Sequence, residues 1–223
     1  MKRRADLVAA PRSQIANTED DDGTVLKSEG AARLLFKRLQ TYFGSLGNPR
    51  KDVDLILVAH SMGALVADRL LVDLPTLEFD QIVYLAAADT IDDFRGYVVP
   101  YLENHRTTTF WSFVLPRALE AAEINGLDLY ERGSLLVWID NLFERARDPG
   151  GLVFGRERNL MEFLDFKELA STVWERATFV RVGEKGPHTP RKHSDFTEPG
   201  ALDRLLGIAF NSKHRCDTAA RPR

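Results

Sequence analysis

A single cysteine, Cys216, stands in 223 residues, so no intrachain disulfide can form and a thiolate metal centre lacks its ligands. A chain of this length buries enough apolar surface to fold without either, and no cofactor is called for. Long apolar runs are also missing. Nothing approaches the roughly 20 residues that cross a bilayer. The stretch Leu7 to Ala10, behind Lys2, Arg3 and Arg4, is too short for a secretory signal. Charge of one sign is scarce: 30 Lys and Arg face 33 Asp and Glu, for a net charge of -3, with no basic stripe to track a phosphate backbone. These absences argue against nucleic acid as a partner and against a membrane span, and they predict a soluble, cytoplasmic protein.

Hydrophobic residues make up 44% and charged residues 28%, the balance of a folded globular chain. The acidic, aperiodic start predicts a loop or disordered terminus over residues 1–25, and the basic end predicts a disordered tail over 212–223. One α/β domain is expected between them, over 26–211. From Leu26 to about Phe43, apolar residues at helical spacing (Ala31, Leu35, Leu39, Tyr42, Phe43) predict a surface helix with one buried stripe. Asp54 to Ala59 is a short apolar run bounded by turns, as in a parallel strand buried on both faces. Ala64 to Leu74 returns to helical spacing and ends at Pro75, and Gln81 to Ala86 is the next buried run. Helix, strand, helix, strand with short connections predicts a mostly parallel sheet with flanking helices.

Residues 90–175 are less regular. Thr107 to Phe113 suits a strand, and Ser134 to Arg147 an amphipathic helix with Ser134 as its cap and Leu135, Trp138, Ile139 and Leu142 on one side. The aromatic residues there read first as core, with a lid or insertion over an acyl pocket as the alternative. Ala177 to Val182 is the last expected strand. A polar loop from Gly183 to Gly200 and a helix from Ala201 to about Phe210 follow it.

The segment that carries chemistry is Val58-Ala59-His60-Ser61-Met62-Gly63-Ala64. A nucleophilic serine must project its hydroxyl clear of the sheet, and a sharp strand-to-helix turn does so by forcing the serine into a strained conformation. Positions two before and two after the serine then crowd together, so small residues are needed, and Ala59 and Gly63 supply them. The short string recurs by chance in many proteins; its place between a strand-like and a helix-like run gives it weight. The helix start also directs free N–H groups and a positive dipole end at a developing oxyanion, with Met62 N–H as the donor to name.

Ala-His-Ser-Met-Gly after an apolar strand resembles the nucleophile elbow of α/β-hydrolase lipases and esterases, with Ala59 where glycine is commonest. The resemblance spans roughly residues 26 to 210 and implies a catalytic triad in the chain order serine, acid, histidine. Of the histidines, His60 adjoins the nucleophile, His105 lies in the middle region and His214 in the tail. His188 and His193 occupy the loop before the last helix, where the family places its base, and Lys192-His193-Ser194-Asp195-Phe196 resembles that segment, favouring His193. For the acid, Asp89 follows the second strand, a position some lipase-like members use; Asp92, Asp93 and Asp140 are rivals.

The resemblance implies a serine hydrolase acting on a small-molecule or lipid carboxylic ester through an acyl-enzyme on Ser61. Two other readings are a catalytically impaired or truncated scaffold that binds a partner, and an acyltransferase. Members of the family carry several strands and a Gly-rich oxyanion loop before the elbow. None of Gly23, Gly30, Gly44 or Gly47 sits in such a segment. A sheet short of its N-terminal strands is therefore expected, whether through a truncated gene, a fragment of a longer hydrolase, or an oxyanion donor drawn from elsewhere.

Overall fold

The computed structural model describes residues 30–45, 53–123, 133–142, 151–165, 169–183 and 186–211. The expectations for 1–25 and 212–223, His214, Cys216 and the stretch to Arg147 lie outside the described residues. Short apolar runs form the strands β1 (Ile56–His60), β2 (Gln81–Leu85), β3 (Thr109–Val114) and β4 (Ala177–Arg181). All pair in parallel in the order β1-β2-β3-β4, with Val58 opposite Val83 and Val83 opposite Trp111. Helices cover both faces, so the architecture is α/β with an all-parallel sheet.

On one face Leu57, Ala59, Ile82, Tyr84 and Phe110 meet α1 (Ala31–Ser45), α2 (Gly63–Asp73) and the helical run that starts as α3 (Ile91–Asp93) and passes through a π turn into α4 (Val99–Asn104). On the other, Val83, Leu85, Trp111 and Phe113 meet Leu136 and Ile139, then Leu205 and Ala209 from the C-terminal helix. β2 is buried at every position, as a central parallel strand must be. β1 is not. Among the described residues nothing pairs with its outer edge, and Val58 is 39% exposed. The strand expected to be buried on both faces is therefore an edge strand.

Two amphipathic faces differ from the simple periodic reading. In α1, Ala32, Phe36 and Phe43 pack against the core, whereas Leu35 and Tyr42 are exposed. The inward stripe thus runs one position later than 31, 35 and 42. In α6 (Leu135–Leu142, after α5, Arg117–Ala122), Leu136, Ile139 and Asp140 face inward and Leu135 outward. Ser134 is buried, but its hydroxyl has no hydrogen-bond partner among the described residues, so its side chain does not cap α6 as expected.

The described parts of 90–175 pack into the core. They supply β3, and Phe94 stacks on Phe154 at 4.3 Å between centroids, with Phe110 and Phe163 at the edges. Removing each such ring from water contributes on the order of 2 kcal/mol. Phe154 belongs to a segment that runs over the ends of β2 and β3 into α7 (Glu157–Asp165) and the short α8 (Ser171–Trp174). There Gly155 N–H donates to Ala87 O at 3.0 Å, and a Cβ on Gly155 would stand 2.2 Å from that oxygen. Only glycine permits this approach. After β4, a 3-10 turn (His193–Thr197) leads into α9 (Pro199–Asn211). Among the described residues no helix is long and apolar enough to cross a membrane.

Candidate active site

β1 ends at His60 and α2 begins at Gly63, which leaves Ser61 and Met62 to turn the chain. Ser61 does so at φ +53°, a left-handed conformation that costs a non-glycine residue on the order of 1–3 kcal/mol unless its surroundings enforce it. They do. Ser61 N–H donates to Leu85 O at 3.0 Å, and Ser61 O accepts from Ala88 N–H at 3.0 Å and Ala64 N–H at 3.1 Å. β2 is followed by a second left-handed residue, Ala86, at φ +43°. That bend turns the chain back so that Ala88 reaches the elbow.

His193 comes from the other end of the sheet, in the turn between β4 and α9. Its Nε2 lies 2.9 Å from Ser61 Oγ, and both residues are buried. The turn is held from within. Phe196 is fully buried, and the N–H groups of Arg191 and Lys192 donate to Asp195 Oδ2 at 2.9 and 3.0 Å. His193 is held from outside as well. Its N–H donates to Glu123 Oε2 at 3.0 Å, and its carbonyl oxygen accepts from His60 Nε2 at 3.1 Å. His188, the other candidate base, is exposed, sits at φ +55° and packs beside Gly200.

The carboxylates named as the acid lie in three different settings. Asp89 is fully buried beyond β2, where its carbonyl accepts from Phe154 N–H at 2.8 Å and its charge helps raise the Tyr84 hydroxyl. Asp93 closes a capping box with Thr90, and Asp92 pairs with Arg95 at 3.7 Å on the surface. Asp140 is not a solvated helix residue. It is buried, bonds Arg156 and Asn159, and accepts Val153 N–H at 2.9 Å, which ties α6 to the segment over the sheet. None of them hydrogen-bonds the imidazole. His193 Nδ1 is buried without a hydrogen-bond partner among the described residues. Ser61 and His193 are thus brought together, with no hydrogen bond between Asp89 and the imidazole.

Met62 precedes α2, and its N–H is spent on no backbone acceptor among the described residues. It stands where a helix N-terminus favours negative charge.

Burial pushes the His193 imidazole down to about 4, and neighbouring His60 acts in the same direction. Burial lowers His60 too, against the opposing effect of its bond to the His193 carbonyl. Because a carbonyl only accepts, His60 must carry its proton on Nε2. A neutral His193 with an unprotonated Nε2 can take the Ser61 proton. Tyr84 donates to buried Asp68 at 2.6 Å beneath the elbow, and burial, followed by the Asp68 charge, raises its hydroxyl well above the usual range.

The sequence alone points to neither His60 nor Glu123. His60 does not bond the serine beside it. It bonds the main chain of a residue far along the sequence, and no local pattern announces such a contact. Glu123 follows α5 at the carboxyl end of β3, and only its position after a strand could have suggested it. Compared with models of known protein families, with curated proteins and with solved structures, the chain matches none.

Proposed function

We propose that the chain is a serine hydrolase that cleaves a small-molecule or lipid carboxylic ester through an acyl-enzyme on Ser61. The observation that carries this reading is the 2.9 Å contact between Ser61 Oγ, on a left-handed turn between strand and helix, and Nε2 of a buried histidine. In the first step the Ser61 oxygen bonds to the ester carbonyl carbon while His193 Nε2 takes its proton. The resulting oxyanion is steadied by Met62 N–H at the helix start. Its collapse breaks the ester C–O bond, and His193 gives its proton to the departing alkoxide. Water then repeats the sequence and frees the acid. The elbow after β1 and the base after β4 are consistent with an α/β-hydrolase type of scaffold.

A scaffold that binds a partner without turning over substrate is the second reading. It is favoured by His193 Nδ1, which among the described residues has no hydrogen bond to the carboxylate that fixes the imidazole in efficient triads. A fluorophosphonate probe separates the two. Hydrolysis requires labelling of wild type at Ser61, none in Ser61→Ala and much slower labelling in His193→Ala, followed by turnover of short- or long-chain esters. An inert wild type leaves the binding reading. Product analysis with an added alcohol distinguishes transfer to an acceptor other than water.

A further inference from the structure

Triad hydrolases steer the base through its ring: a carboxylate on Nδ1 fixes both the orientation and the tautomer of the imidazole. Here Nδ1 has no such partner among the described residues, yet Nε2 stands at hydrogen-bond distance from the serine. Something else holds the residue. Both main-chain polar groups of His193 are taken by side chains from other parts of the fold. Glu123 Oε2 accepts the N–H at 3.0 Å from the segment that follows β3, and His60 Nε2 donates to the carbonyl at 3.1 Å from the last position of β1. The His60 ring also lies against that of His193, with centroids 4.9 Å apart, and against Phe196 at 6.2 Å.

We propose that His60 and Glu123 are positioning residues that clamp the main chain of His193 and thereby set its imidazole against Ser61, a role that rests on the hydrolase reading above. The two anchors are chemically opposite and therefore hold opposite ends of one peptide unit pair: an acceptor fixes the N–H, a donor fixes the carbonyl. With both ends held, the Cα–Cβ direction of His193 is set, and only side-chain rotation is left for the ring contacts to limit. His60 serves twice because it immediately precedes Ser61. The residue that carries the nucleophile's strand to its end also grips the base, so a shift of β1 moves both reacting groups together. A bond donated by the His193 N–H to a carboxylate, as to Glu123, is stronger than one between neutral groups. That suits a turn that must bring its histidine to a serine separated by 132 positions.

The test uses the full chain and reads the second-order rate of Ser61 phosphonylation, kcat and KM for an ester, and the thermal midpoint of every variant. Glu123→Ala removes the acceptor, whereas Glu123→Gln keeps an amide oxygen that can accept the same N–H. His60→Phe keeps the ring against His193 and Phe196 but has no donor, whereas His60→Gln places an amide N–H near the position of the imidazole Nε2. Displacing a catalytic group by about 1 Å costs on the order of 100-fold, so Glu123→Ala and His60→Phe are each expected to slow phosphonylation by about 10- to 100-fold. The loss should fall on kcat with KM little changed, and Glu123→Gln and His60→Gln should recover most of it. Combining Glu123→Ala with His60→Phe should cost less than the product of the single losses, since both act on one residue. If Glu123→Ala does not fold, Glu123→Asp, which shortens the reach and keeps the charge, takes its place with the same direction expected. Folded Glu123→Ala and His60→Phe proteins that react at the wild-type rate overturn the clamp while leaving the hydrolase reading intact. A wild type that does not react at Ser61 overturns the hydrolase reading and the clamp with it.

Discussion

A Cβ placed on Gly63 would stand 3.9 Å from the Cβ of Ala59, an ordinary van der Waals contact across the elbow. A methyl group added at Gly63 would therefore meet that of Ala59 at the separation a pair of methyl groups prefers. The crowding inferred for such a turn is real, but it stops short of demanding glycine.

Gly63→Ala should consequently fold and keep its Ser61 reactivity, with stability unchanged or raised by up to about 1 kcal/mol because alanine is the better helix former. Gly63→Leu must push its extra carbons into Ala59 and β1, which is expected to cost on the order of 1–3 kcal/mol and to lower labelling of Ser61. Thermal melts and probe labelling of both variants decide the matter. A large loss in Gly63→Ala would show that the turn is tighter than this contact implies.

The buried imidazole of His193 gives a pH dependence of defined sign. Unfolded, it takes a proton near pH 6.5; folded, only near 4, because burial disfavours the cation. The contribution to stability is fully present above pH 6.5 and is lost as the pH falls toward 4, amounting to about 3 kcal/mol at most. His60, lowered for the same reason, adds in the same direction. His193→Gln should flatten the fall of the thermal midpoint between pH 6.5 and 4. Ser61 labelling in wild type should hold level from pH 8 to about 5 and then drop as His193 takes up its proton. A labelling profile with its midpoint near 6.5 would contradict the burial of the base.

Glu120 carries the opposite sign. It is buried on α5 with Arg156 Nε 4.0 Å away, and burial pushes its carboxyl up to about 7 in spite of that arginine. Folding therefore favours the protonated acid, and stability is lost as the pH rises from 4.5 through 7. Glu120→Gln, neutral at every pH, should match wild type near pH 4 and exceed it at pH 8 by up to about 3 kcal/mol. Denaturant unfolding at the two pH values measures this. A variant weaker than wild type at pH 8 would mean that attraction to Arg156 outweighs the cost of burying the charge.

What could be read from the chain alone was what neighbours in sequence decide. The alternation of apolar runs located β1 to β4 to within a few residues, since a strand or helix must repeat its burial at a fixed period. The elbow was legible for the same reason: strand, small-x-Ser-x-Gly and helix are contiguous from Ile56 to Asp73. Periodicity fixed less once the partner surface mattered. The stripe of α1 turned by one position and the Ser134 hydroxyl finds no hydrogen-bond partner among the described residues, because the face a helix buries depends on what it packs against. The tertiary structure alone decided that β1 lies at an edge, that Asp140 holds Arg156 and Asn159, and that His60 and Glu123 grip His193. Those contacts join residues from separate strands and turns, and sheet order sets which of them meet. Composition and spacing carry no record of that order, because a hydrogen bond between distant residues requires only compatible chemistry at each end, and many pairs in the sequence offer that.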